Sequence, residues 1–291
     1  MDAFGILNIN KPAGMTSRDV VTRVERLVRP AKAGHAGTLD PLASGVLVVP
    51  VGGATRLIEY VQRMRKSYRG TFLLGRESPT EDLEGEITEL TAPPIPTVDE
   101  IRTAAARLTG QIEQRPPQYS ALKVRGQRAY QLARQGRKVE LTPRPVMVYD
   151  LEVERYDYPE LVLRVTCGAG TYIRSLGRDL AESLGTAAVM AGLVRTAIGP
   201  FRLEHAVELE TLDATNWASF LQPPTEAVAE LPQITFGPDE IRRLHAGQLV
   251  DGAELSGPPR AAALDHGGRL VGIVVVRNGC WAPERNFPLP G

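Results

Sequence analysis

The chain has 291 residues, 43% hydrophobic and 23% charged, with 34 Lys and Arg against 34 Asp and Glu. This is the composition of a soluble globular chain with one large domain, or a large and a small one, and it excludes disorder as the main state. No stretch approaches 18 consecutive apolar residues, the start MDAFGILNINKP has no basic signal region, and the lone Cys167 and Cys280 form neither a disulfide framework nor a zinc pattern, so the cytosol is the default location.

Taken in chain order, GILNI (residues 5–9) reads as a short strand, and Lys11-Pro12-Ala13-Gly14 as a turn. Thr16-Ser17-Arg18-Asp19 opens a helix with a capping-box pattern, and Val20, Val21, Val24, Leu27 and Val28 fall on one face before Pro30 ends it. A loop of three glycines, Gly34 to Gly45, precedes the buried strand Val46 to Val51. Ala54 to Met64 reads as a helix, residues 68–74 as a strand, and the acidic, turn-rich 76–97 as a loop. Val98 to Leu108 is a helix stopped by Gly110. Segment 114–143 reads as a basic excursion from the core, partly helical around 127–135. Residues 146–154 and 160–167 alternate as paired strands, with Leu161, Leu163, Val165 and Cys167 on one face. Gly168-Ala169-Gly170-Thr171 leads into the helix Tyr172 to Leu184. Residues 204–230 are acidic and irregular. A domain boundary is expected near 231, and the tail 231–291, with its strand-like run Arg269 to Val276, reads as a small β-rich domain.

The neutral total hides a segregated charge. Residues 115–138 hold seven Lys or Arg and no acid, while 77–100 hold eight acids and no base. Such a basic stretch fits either a phosphate-binding surface or a solvated helix face. There is no P-loop, no HExxH and no nucleophile elbow, and the four histidines lack ligand spacing. Any chemistry must therefore run on carboxylate, Arg, Tyr or His. Asp40 stands out, because it sits in the glycine-flanked loop before an apolar strand and Pro41 fixes the backbone after it. It is either a nucleophile for an electrophilic carbon or an Asp that holds its own turn.

GHAGTLDPLASGVL (34–47) resembles the signature of the TruB-type family of bacterial tRNA pseudouridine-55 synthases. LNINKPAGMTSRDVV resembles the family's first motif and KSYRG (66–70) its tyrosine motif. QYSALKVRGQRAYQLARQG (118–136) resembles the segment that closes over the RNA. CGAGTYIRSLGRDL (167–180) resembles the arginine motif, and LVRT (193–196) a later one. The resemblance covers residues 5–200 in the right order, and the tail resembles a reduced PUA domain.

The resemblance implies an α+β fold. A catalytic domain over 1–230 would carry a mixed, largely antiparallel sheet with helices on its faces, and a PUA-like RNA-binding domain would span 231–291. It implies isomerisation of uridine to pseudouridine at position 55 in the TΨC loop of tRNA. Asp40 would be the essential carboxylate, attacking C1′, attacking C6 or assisting a glycal route. Arg174 would aim that carboxylate by a bidentate pair, and Tyr68 would stack on the target base. His35 would help extrude or replace the flipped base, and Leu193 would be a pocket residue or a plain core Leu. Lys11 would contact the site loop or a phosphate, or cap a turn. Asp82 falls where the family has an acid, but the preceding SPTE departs from the pattern, so no role is assigned to it. No metal or redox cofactor, membrane or protein partner is implied, and a monomer is expected. Two other readings use the same residues: a non-catalytic RNA-binding protein or tRNA chaperone, and a uracil-releasing glycosidase that admits water. The single carboxylate of the motif favours the isomerase over the glycosidase, which usually needs two.

Overall fold

The computed structural model describes residues 3–119, 141–252 and 258–288, together with the backbone of 123–124 and 127–128. The expectations for the rest of the basic excursion lie outside the described residues.

The chain opens with strand β1 (Phe4–Lys11), then helix α1 (Ser17–Leu27) and β2 (Ser44–Gly52). The capping box at the start of α1 forms as the sequence indicates. The Asp19 amide donates to Thr16 Oγ1, and the Thr16 amide donates to the Asp19 carboxylate. Val20, Val21 and Val24 then pack on Leu7, Ile9, Leu47 and Val49 of β1 and β2. The single helix expected over 54–64 is instead a 3-10 turn, Gly53–Leu57, running into the short α2 (Ile58–Arg63).

Next come β3 (Lys66–Leu74), a two-strand ladder β4 (Arg76–Glu77) and β5 (Thr88–Glu89) inside the expected acidic loop, α3 (Val98–Arg107) and β6 (Gly110–Gln114). Residues 123–124 and 127–128 pair as β7 and β8, so the start of the expected 127–135 helix is extended. Strands β9 (Arg144–Asp157) and β10 (Glu160–Cys167) pair as expected. They are followed by α4 (Ile173–Ser183), β11 (Ala188–Ile198), β12 (Phe201–Arg202) and β13 (Val207–Glu208).

These strands form one nine-stranded sheet in the order β13-β1-β2-β11-β3-β10-β9-β6, with β12 on the end of β11. The pairs β1–β13 and β2–β11 are parallel and the rest antiparallel, so the sheet is mixed and largely antiparallel. Strand β11 was not among the sequence expectations, yet it lies at the centre and joins the two halves of the sheet. Helices α3 and α4 cover the β3–β10–β9 half, around Phe72, Leu163, Val165, Ile101, Leu176 and Leu180. A Cβ at Gly177 would meet the Phe72 ring at 2.0 Å, so glycine is what lets α4 lie this close to the sheet.

The tail forms a second sheet of β14 (Gln233–Thr235), β15 (Arg260–Leu264), β16 (Leu270–Arg277) and β17 (Cys280–Asn286), in that order. It also holds a helix the β-rich expectation omitted, α5 (Pro238–His245), which opens with Pro at its first position. Ala262, Leu264, Leu270, Ile273 and Phe287 share a core with Ile6, Val46, Val48 and Tyr60, so the two sheets are joined by a continuous apolar contact. No helix among the described residues is long and apolar enough to cross a membrane.

Candidate active site

Asp40 sits on the connection between α1 and β2, and three elements fix that loop through its backbone. From α1, Ser17 Oγ accepts from the Leu39 amide at 2.8 Å and donates to the Leu39 carbonyl at 3.2 Å. From the turn after β1, the Gly14 amide donates to the Pro41 carbonyl at 2.8 Å. From β11, Arg195 reaches both limbs of the loop. It donates from Nε to Val46 O at 2.7 Å, from Nη2 to Gly37 O at 3.0 Å and from Nη1 to Thr38 O at 3.4 Å. Gly45 has φ +99°, and a Cβ there would lie 2.3 Å from the Arg195 carbonyl, so only glycine fits where the loop passes β11.

Arg174, in the first turn of α4, is 6% exposed and contacts two carboxylates. Its Nη2 lies 3.1 Å from Asp40 Oδ2 and its Nη1 lies 3.2 Å from Asp82 Oδ2. The expected bidentate pair is therefore replaced by a shared guanidinium, with one amino group for each acid. The same two nitrogens donate to the carbonyls of Tyr119 and Thr80, which pins the guanidinium plane. Asp82 is 2% exposed and saturated, since Thr80 Oγ1 and the Glu84 amide also donate to it, at 2.6 and 3.1 Å. Asp40, at 38%, is the member of the triad open to a ligand.

The Asp40–Arg174 pair is a ridge between two cavities. One, of about 390 Å³, is lined by Asp40, Arg174, Tyr68, Leu193, Lys66 and Arg195, with the Gly168–Tyr172 loop at its side. Tyr68 is buried on β3 and stands opposite Arg195 in register. Burial pushes its phenol up from the ordinary value, and the Arg195 charge opposes that shift. The other cavity, of about 610 Å³, is lined by Asp40, Arg174, His35, Arg18, Asp82 and Glu84, among others. Burial draws the His35 imidazole down from its usual value, and its buried Nδ1 has no hydrogen-bond partner. Glu84 is shifted up by partial burial and by the negative charges of Asp82 and Asp40.

Of the residues singled out in the sequence, Asp40, Tyr68, Arg174 and Leu193 thus share one cavity, and His35 faces its neighbour. Lys11 lines neither. It is fully buried, and its ammonium donates to the carbonyls of Met15 at 2.6 Å, Pro12 at 2.9 Å and Pro41 at 3.5 Å, so it supports the turns beneath the site. Burial first, and then the Arg195 charge, lower it to about 8. Arg195, Lys66 and Ser17 were missed and Asp82 was left without a role. The signals for Arg195 and Lys66 were present, inside LVRT and KSYRG.

A buried arginine thus holds one accessible carboxylate beside a tyrosine-walled cavity, which makes this the candidate active site. Residues 25–173 match the N-terminal domain of the TruB family of pseudouridylate synthases, and 174–228 match the tRNA pseudouridylate synthase B C-terminal domain. The chain is 43% identical to a tRNA pseudouridine synthase B of Dehalococcoides mccartyi, over 98% of this chain and 97% of that one. It is 44% identical to that of Thermobifida fusca, over 97% of each. Among solved structures it resembles one of a Cbf5-Nop10-Gar1 complex, with TM-score 0.77 and 26% identity over 98% of this chain and 85% of the other. It also resembles an H/ACA RNP bound to a substrate RNA containing 2′-deoxyuridine, with TM-score 0.75, 25% identity and coverage of 98% and 86%. The chain belongs to the TruB family of pseudouridylate synthases. It is an isomerase that converts uridine to pseudouridine.

Proposed function

We propose that the substrate is tRNA, that the uridine is the one at position 55 in the TΨC loop, and that Asp40 is the carboxylate on which the isomerisation runs. The observation that carries this is the Asp40–Arg174 contact at 3.1 Å on the wall of the Tyr68 cavity. The relatives named tRNA pseudouridine synthase B support the choice of RNA.

A uridine within a folded RNA loop reaches Asp40 only when flipped out, at a cost of a few kcal/mol in lost stacking. Stacking on Tyr68 returns about 1–3 kcal/mol. Leu193 closes the apolar side of the cavity, and burial keeps the Tyr68 hydroxyl protonated, able to donate late in the reaction. The uncharged His35 imidazole in the neighbouring cavity suits a side chain that fills the space a base has left. The small tail sheet, read as a PUA-like RNA-binding unit, would contact the tRNA acceptor end. The protein would act as a cytoplasmic monomer.

Carboxylate placement favours isomerisation over base release. Hydrolysis of a glycosidic bond usually takes two carboxylates flanking it, one of them serving water or attacking carbon. Asp82 is saturated by Arg174 and its neighbours, and Glu84 faces the other cavity. Among the described residues, Asp40 is thus the one carboxylate lining the Tyr68 cavity. The test is to incubate the protein, without added cofactor, with an unmodified tRNA transcript and to map pseudouridine by carbodiimide adduct and reverse-transcription stops. A stop reporting position 55 is expected with the wild type and none with Asp40→Asn, which still binds the tRNA. Binding without product from either protein would point to the RNA chaperone, and abasic sites would point to a glycosidase.

A further inference from the structure

Lys66 begins β3, two residues before Tyr68, so both side chains point to the same face of the sheet. Lys66 is 8% exposed and lines the Tyr68 cavity. Its ammonium donates to the carbonyls of Gln62 and Met64 at the end of α2, both at 2.7 Å. An ammonium has three N–H groups, so one remains. Among the described residues no carboxylate lies within salt-bridge distance of Lys66, and none lies within that distance of Arg195 beside it. Burial, and then the Arg195 charge, lower the Lys66 ammonium to about 8, against weaker opposing effects of Cys167 and Glu230.

An unpaired buried cation costs several kcal/mol, and a site holds one when a ligand supplies the opposite charge. Among the described residues the cavity wall carries the cations Lys66, Arg174 and Arg195 and one carboxylate, Asp40, which Arg174 already holds. A uracil base is neutral, so its charge must arise during the reaction. When the C1′–N1 bond breaks, its electron pair leaves with N1 and spreads onto O2 and O4 of the ring. The base then turns, C5 uses a ring electron pair to form the bond to C1′, the C5 proton is lost and N1 takes up a proton.

We propose that Lys66 is a further catalytic residue, whose free N–H donates to a carbonyl oxygen of the uracil and stabilises the negative charge on the detached base. It keeps its own proton throughout. The same contact tethers the base, which must turn without leaving. This rests on the pseudouridine synthase reading of the same cavity and adds to it the group that receives the leaving base.

The experiment compares wild type, Lys66→Met, Lys66→Gln and Lys66→Arg. Single-turnover rates are read as tritium released from C5-labelled uridine in a tRNA transcript, and tRNA affinity is measured across salt concentrations. Lys66→Gln keeps N–H donors for the α2 carbonyls and removes the charge, so it carries the test if Lys66→Met fails to fold. The expected result is a rate about 100-fold lower in the uncharged variants, the loss typical of one oxyanion donor. Their tRNA affinity should stay within about twofold of wild type, because the contact forms only during the reaction. Lys66→Arg, which keeps the charge, should recover most of the rate. A wild-type rate in Lys66→Gln overturns the proposal. So does a loss of affinity with a salt slope lower by about one, which would make Lys66 a phosphate contact. A wild type that makes no pseudouridine in tRNA sinks the functional reading itself, whereas an active wild type with unaffected variants sinks only this inference.

Discussion

Arg195→Met separates the position of Asp40 from the stability of the fold. The guanidinium is 1% exposed, bonds three carbonyls around the Asp40 loop and, among the described residues, has no carboxylate partner. Two of those bonds are short, and orphaning their acceptors, Val46 O and Gly37 O, costs about 2–6 kcal/mol. Removing an unpaired buried charge returns several kcal/mol. The two effects are of one size, so the unfolding free energy in urea should move by less than about 2 kcal/mol. The rate has no such offset. Without the guanidinium the Gly37 and Thr38 carbonyls lose their side-chain tie, leaving that limb held only at its ends by the Ala36 amide on Val48 O and by Ser17 on Leu39, and a carboxylate displaced by about 1 Å costs about 100-fold, or 2.7 kcal/mol of barrier. Arg195→Lys should also be slow, because a single ammonium cannot span the two limbs as the planar fork does. Single-turnover tritium release and urea unfolding on the same preparations make the comparison. A folded Arg195→Met protein that keeps about a third or more of the wild-type rate would refute the claim that Arg195 sets the position of Asp40.

Asp40→Asn should lose pseudouridine formation by about 1000-fold or more while its melting temperature and tRNA affinity stay near wild type, since the carboxylate is partly open to solvent. Asp82→Ala should behave otherwise. It strips the buried Arg174 of one partner, so urea unfolding should show a loss of about 3 kcal/mol together with slower turnover. Lys11 and Lys66 are both lowered to about 8, so the single-turnover rate should fall as pH rises above 8 and the two ammonium groups lose their protons. Stability should move the opposite way. From about pH 8 to 9.5 the unfolded chain, with lysines near 10.5, binds more protons than the folded one, so urea unfolding should show a rise in stability across that window. A flat or falling profile there would contradict the burial of these ammonium groups.

Local chemistry made parts of this protein legible in advance, and long-range chemistry hid the rest. The capping box of α1 needs only Thr16 and Asp19, and the alternation of β10 only its own residues, so both could be read directly. AVMAGLVRTAI gave no such signal, because β11 runs between β2 and β3 at the centre of the sheet and is largely apolar without a clean period of two. Helix α5 carried readable marks, Pro238 after Gly237 and Glu240 three residues on, but its eight residues are too few to outweigh the strand-like tail around it. Asp40 was visible because its loop is local and glycine-rich. Arg195 was not, because its role lies in carbonyls about 150 residues away, from which an arginine in an apolar run gives no sign of direction.

On the proposed reading, the placement of cations also accounts for how one carboxylate would serve such a site. Arg174 is shared by Asp40 and Asp82, which leaves that triad with a net negative charge. Lys11, Lys66 and Arg195 are held by backbone carbonyls instead of acids. Carbonyl dipoles fix a cation's position without cancelling its charge, so Lys66 and Arg195, which line the cavity, keep their field for whatever enters it. Had the cations been anchored by further carboxylates, the site would hold extra acids able to activate water, and the detached base would meet a neutral wall. Fixing the field in advance also spares the reorganisation that water would need when the base charge appears. On the proposed reading, the same arrangement would serve both demands of an isomerase, stabilising the broken bond while adding no second carboxylate to activate water.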